Sequence, residues 1–80
     1  MSNKTKSEAG YNPGGLLDAL IVRHGLWGDA GLSRFMGVSA PAISIIRSQK
    51  KPVGASFILK CVERGDMTVA EVRAFIGGAA

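Results

Sequence analysis

The chain contains one cysteine, Cys61, and one histidine, His24. A single thiol excludes an intrachain disulfide, and a Cys/His zinc site lacks its ligands. No apolar run approaches the roughly 20 residues that span a bilayer. Met1 to Gly10 is polar, with no apolar stretch behind its lysines, and does not read as a secretion signal. A lone thiol suits a reducing compartment, so the expected location is the cytoplasm. Asp18, Asp29, Glu63, Asp66 and Glu71 are too scattered for a metal cluster. Gly14-Gly15 and Gly77-Gly78 lack the surroundings of a phosphate loop. His24 has no Ser, Cys or carboxylate at a recognisable spacing and reads as a helix-end residue. No catalytic constellation is left, so neither enzymatic activity nor a cofactor is expected.

What is present is a helical pattern in a basic chain. Eighty residues make one domain. A chain of this size buries about 60–65% of its unfolded surface and needs help from helix packing or self-association. The net charge is +4 and the pI about 9.7. Such a balance suits a polyanion partner, although many proteins without one share it.

Residues 1–12 are polar and read as a tail, residues 13–77 as the folded domain, and residues 78–80 as a short C-terminal tail. Leu16, Leu17, Leu20 and Ile21 share one face of a first helix, about 14–24, with Pro13 in its first turn and Gly25 at its end. Asp29 is placed to cap a second helix, about 30–36, which carries Leu32, Phe35 and Met36 and stops at Gly37. Ser39 caps a third, about 40–48, with Ile43 and Ile46 facing inward. A fourth, about 55–63, presents Phe57, Ile58, Cys61 and Val62. A fifth opens with Thr68 and Glu71 at capping-box spacing and carries Val69, Val72, Phe75 and Ile76. Trp27 is expected to anchor a loop to the core, with an exposed interface role as the other, less favoured reading, and Cys61 to act as a small buried hydrophobe. No strand, repeat or low-complexity segment stands out. The fold class is all-α, five short helices with short links.

The informative stretch is Asp29 to Ser48, DAGLSRFMGVSAPAISIIRS. Leu32, Met36, Val38, Ile43 and Ile46 let two short helices cross over a shared interior, and Gly37 permits the left-handed end that a tight turn needs. The turn has the length found in a helix-turn-helix. Through Leu32, Gly37, Val38, Ser39, Ile43, Ile46 and Arg47, followed by Pro52-Val53-Gly54, the chain resembles the phage-repressor (Cro/Xre-like, lambda-repressor-like) family. The resemblance covers about residues 14–76. It implies a compact five-helix DNA-binding domain with the helix-turn-helix in helices 2 and 3, and a role as a transcriptional regulator, in particular a repressor. Two positions depart from the family. Ser33 stands where Ala is common, and Asp29 where a phosphate-touching Gln is common. Asp29 would repel phosphate, which leaves it the capping role.

The resemblance puts Ser39, Ala40, Pro41, Ser44 and Ile45 on the outer face of helix 3, toward the major groove of double-stranded DNA. No Asn, Gln or Arg in the first two turns can grip a base edge bidentately, so readout should lean on DNA shape and half-site spacing. Arg47, Lys50 and Lys51 form a backbone clamp on this reading, or else an ordinary solvated loop. A dimer using all three would neutralise about six phosphates, for a log–log salt slope of about −5. Arg34 is a weaker candidate contact. Lys4 and Lys6 read as an arm or as a plain tail, with the tail favoured. A homodimer is expected, either through helix 5 and its tail, with Phe75 and Ile76 ending in small Gly77-Gly78-Ala79-Ala80, or not at Phe75 and Ile76 if they close the monomer core. The alternative to DNA binding is a protein-interaction module that keeps the fold, favoured by the apolar Ala40, Pro41 and Ile45.

Overall fold

A computed structural model describes residues 11–77. Its elements are α1 (Pro13–His24), α2 (Gly28–Met36), α3 (Ala40–Arg47), α4 (Ala55–Glu63) and α5 (Val69–Ile76), with no strand among the described residues. No helix is long and apolar enough to cross a membrane.

α1 is the central packing element. Leu16, Leu17 and Leu20 are wholly buried, and α2, α3 and α5 all pack against this helix, while α4 packs on α5. Leu32 and Met36 of α2, Ile43 and Ile46 of α3, Phe57 and Cys61 of α4 and Val72 and Ile76 of α5 complete the core with Val53 and Met67. Every inward position expected for α3 is confirmed. Burial pushes the Cys61 thiol up to about 11, as desolvation disfavours a thiolate.

Local chemistry sets the boundaries. Pro13 occupies the first turn of α1, where its missing N–H costs nothing, and Asn12 caps that helix by accepting from the Gly15 N–H at 3.0 Å. Asn12 also donates its backbone N–H to the Phe75 carbonyl, and Tyr11 packs against the core. These two residues, expected in the N-terminal tail, therefore belong to the fold. Residues 1–10, with Lys4 and Lys6, and residues 78–80 lie outside the described residues. Thr68 and Glu71 form the expected capping box on α5. Arg23 on α1 donates to the Glu71 carboxylate at 2.6 Å and, with the Thr68 N–H, holds that carboxyl below its ordinary range.

The end of α4 meets the end of α1 through Gly65. A Cβ there would stand 2.6 Å from both the Cys61 carbonyl oxygen and Leu20 Cδ2, which only glycine avoids. His24 closes the same junction. Its Nε2 lies 2.8 Å from the Gly65 carbonyl, and its ring stacks on Phe35 with centroids 4.4 Å apart.

Two further expectations fail. Asp29 is not the cap of α2. The helix begins two residues earlier, at Gly28, Trp27 stands at the N-cap without a side-chain bond, and the Asp29 carboxylate is turned to Arg47. Two bonds from a cationic guanidinium to both carboxylate oxygens outweigh the single backbone N–H bond that a cap would give. Trp27 is no core anchor either, being 90% exposed. Leu26 takes the inward place in that connection, and its neighbour is thereby turned to solvent.

Two measurements check this packing. Ile43→Ala should cost about 2–5 kcal/mol in urea unfolding, against much less for half-buried Ile45→Ala, because only the former opens a cavity in the core. The reverse ranking would mean that α3 is rotated about its axis. Trp27, the only tryptophan, should show the red-shifted, readily quenched emission of a hydrated indole before unfolding, with little change after it. A blue-shifted native spectrum would contradict its exposure.

Candidate nucleic-acid interface

The segment from α2 to α3 joins two helices through three residues, Gly37, Val38 and Ser39. Gly37 has φ +68°, in the left-handed region. Val38 donates its N–H back to the Ser33 carbonyl at 3.1 Å, and the Ser33 hydroxyl donates to the Val38 carbonyl. Ser33 thus does more than fit the helix crossing: it locks the turn. Ser39 Oγ accepts from the Ala42 N–H at 3.2 Å, which makes it the N-cap of α3 as expected.

The outer face of α3 is as the sequence predicts in phase. Ser39, Ala40, Pro41 and Ser44 are exposed and Ile45 is half-buried, while Ile43 and Ile46 face the core. The Ser39 oxygen is occupied by its cap bond, so the hydroxyl proton is its main remaining polar resource. Ser44 is the other exposed hydroxyl on that face.

Three helices end in the same way, and the third is instructive. α1, α2 and α3 each finish with a left-handed residue followed by an N–H that reaches back five positions: Leu26 to Ile21, Val38 to Ser33, Lys50 to Ile45. Such ends favour glycine at the left-handed residue and an apolar residue after it. The first two comply, with Gly25-Leu26 and Gly37-Val38, and both apolar residues pack against the core. The third has Gln49, at φ +63°, and Lys50. Lys50 and Lys51 are fully on the surface. Asp66, at φ +57°, is also a left-handed non-glycine residue; what sets the end of α3 apart is the exposed Lys50, where the other two ends carry a residue packed on the core.

Arg47 is placed differently from Lys50 and Lys51. Its Nε donates to Asp29 Oδ2 at 3.0 Å, and its Nη2 donates to Asp29 Oδ1 at 2.7 Å and to Asp18 Oδ1 at 3.0 Å. Arg47, expected to join Lys50 and Lys51 in a phosphate clamp, is thus engaged by carboxylates while the two lysines are not. Two carboxylates surround one guanidinium, so the cluster carries a net charge of −1 and offers phosphate no attraction. Its side chains are 35% (Arg47), 64% (Asp18) and 41% (Asp29) exposed. Pairs this wet contribute about 0–1 kcal/mol each, well below the core residues they sit beside. Among the described residues the ion pairs are these two and Arg23–Glu71; Lys50, Lys51 and Arg34 take part in none.

A separate surface was only partly legible in the sequence. Ile58, Leu59, Val62, Val69, Val72 and Arg73 line an apolar groove of about 390 Å³ between α4 and α5, with Leu59 55% and Val69 49% exposed. Of the two expected pairing residues, Ile76 lies in the wall of this groove but is itself buried, and Phe75 is packed against the core. The signal for Leu59 is its position on α4, opposite Phe57 and Cys61 in the helical repeat.

Comparison of the chain with family models, with curated proteins and with solved structures gives no match.

The left-handed Gln49 yields a stability test. Gln49→Gly should raise the unfolding free energy by about 1 kcal/mol, since a non-glycine residue pays roughly that for this conformation. A loss of stability would mean that the Gln49 side chain makes a contact worth more than the strain.

Proposed function

We propose that this chain binds double-stranded DNA, with α2 and α3 acting as a helix-turn-helix, and serves as a small transcriptional repressor of the Cro/Xre-like kind in the cytoplasm. The observation that carries the reading is the end of α3. There a helix with its own outer face free of core duties runs into Gln49, Lys50 and Lys51, which depart from the apolar pattern of the other two ends. In a helix-turn-helix the second helix enters the major groove, and cations beside it meet the phosphates. Ser39, Ala40, Pro41, Ser44 and Ile45 are the proposed groove contacts, and Lys50 and Lys51 the proposed backbone contacts. With two serines as the polar groups of that face, sequence discrimination falls largely to DNA shape. No enzymatic role is proposed.

The repressor is proposed to act as a homodimer, since one such helix has little base-reading surface and two copies can span half-sites about 34 Å apart. The apolar groove between α4 and α5 is its proposed pairing surface. A second reading, a protein-interaction module without strong DNA binding, is favoured by one observation: the exposed Trp27, a residue type common at interface hot spots.

Salt dependence tests the proposal. With Arg47 committed elsewhere, two lysines per subunit give about four phosphate contacts in a dimer and a log–log slope of about −4, against about −2 for a monomer. Lys50→Ala/Lys51→Ala should weaken binding to all duplex sequences alike and nearly abolish the slope. Full-affinity binding by the double variant would remove the lysines from the interface. No binding of the unaltered chain to duplex at low salt would favour the interaction module.

A further inference from the structure

The cluster of Arg47, Asp18 and Asp29 draws one residue from each of α3, α1 and α2. We infer that this cluster is a positioning device: it fixes the direction of α3 against the other two helices, and DNA affinity depends on it although it offers no attraction for phosphate. The inference rests on the reading that α3 faces DNA.

α3 has eight residues and enters the core through Ile43 and Ile46. Apolar burial has no preferred direction, so two neighbouring contacts on one face leave the helix a pivot. Directional bonds hold its two ends. At the start, the Ser33 hydroxyl fastens the turn through the Val38 carbonyl. At the finish, the Arg47 fork takes both oxygens of Asp29, at 3.0 and 2.7 Å, and reaches Asp18 at 3.0 Å. A planar fork on a carboxylate fixes angle as well as distance. Binding surfaces must be held within about 0.5 Å and 10–20° to work, a tolerance that a pivot alone does not meet. The cluster's negative sum makes its position beside a DNA-binding element unfavourable on charge grounds alone, so attraction to phosphate does not account for it.

Charge and positioning predict opposite signs, which makes the test decisive. The full chain is titrated against a labelled random-sequence duplex at low salt, at a temperature where circular dichroism shows each variant folded. Asp29→Asn removes a negative charge, and attraction alone would tighten binding. Positioning predicts binding weaker by up to about fivefold, with the salt slope unchanged. Arg47→Lys keeps the charge, loses the fork and should bind more weakly than the unaltered chain. Lost stability by itself does not lower the affinity of a fully folded variant. If Asp29→Asn is not folded under these conditions, Asp18→Asn, whose side chain is 64% exposed, should shift affinity in the same direction by a smaller factor. Tighter or unchanged binding in the folded variants overturns the inference. If the unaltered chain binds no duplex, the DNA reading falls by itself, and the positioning role is then decided by amide hydrogen exchange. Faster exchange across α3 in Arg47→Lys, with α1 unchanged, supports it, and identical exchange overturns it.

Discussion

Burial of Leu16, Leu17 and Leu20 is the interaction on which the rest of this fold depends. The five helices have between eight and twelve residues, and isolated helices of that length are marginal in water. Each must therefore gain its stability by packing, and α1 is the surface that receives α2, α3 and α5. The close approach of α4 at Gly65 onto Leu20 extends the same arrangement. Few polar groups complicate it, as no polar or charged side chain is buried among the described residues. Polar bonding is left to the ends of helices, where caps and left-handed turns decide direction.

That division of labour explains how an 80-residue chain frees part of its surface for other uses. α3 spends two isoleucines on the core and keeps its opposite side clear. The turns that precede and follow it are compact because left-handed residues reverse the chain in one step. Where the chain follows the packing rule, at Gly25-Leu26 and Gly37-Val38, the residue after the turn enters the core. At Gln49-Lys50 it does not, and both lysines stay on the surface.

The fold was legible in the sequence wherever one residue has one dominant preference. The Thr68–Glu71 spacing, the glycine ends of α1 and α2, the Ser39 cap and the inward phase of Ile43 and Ile46 all follow from short-range rules. Reading failed where a residue had two chemically reasonable uses. Asp29 can cap a helix or pair with a cation, and the choice depends on Arg47, 18 positions away. Arg47 can meet phosphate or carboxylate, and the same contact decides it. Trp27 and Leu26 compete for one inward place, and periodicity does not rank adjacent residues in a loop. Phe75 and Ile76 were legible as apolar but not as core or interface, because a stripe of helical spacing looks alike in both.

The charge distribution follows from these choices. Of the ten Lys and Arg residues, Arg23 is held by Glu71, Arg47 by two aspartates, and Arg64 donates to the Phe35 carbonyl at the end of α2. The arginines thus serve largely as directional donors that join helices, a task that suits a rigid fork, and Lys50 and Lys51 are left as mobile point charges on the surface. On the proposed reading this sorting is functional. Rigid forks fix where α3 lies, while flexible ammonium groups adapt to phosphates whose spacing varies with sequence. A binder with two hydroxyls on its groove face gains selectivity from how well a duplex accommodates that fixed geometry, so the accuracy of helix placement matters more here than the number of its base contacts.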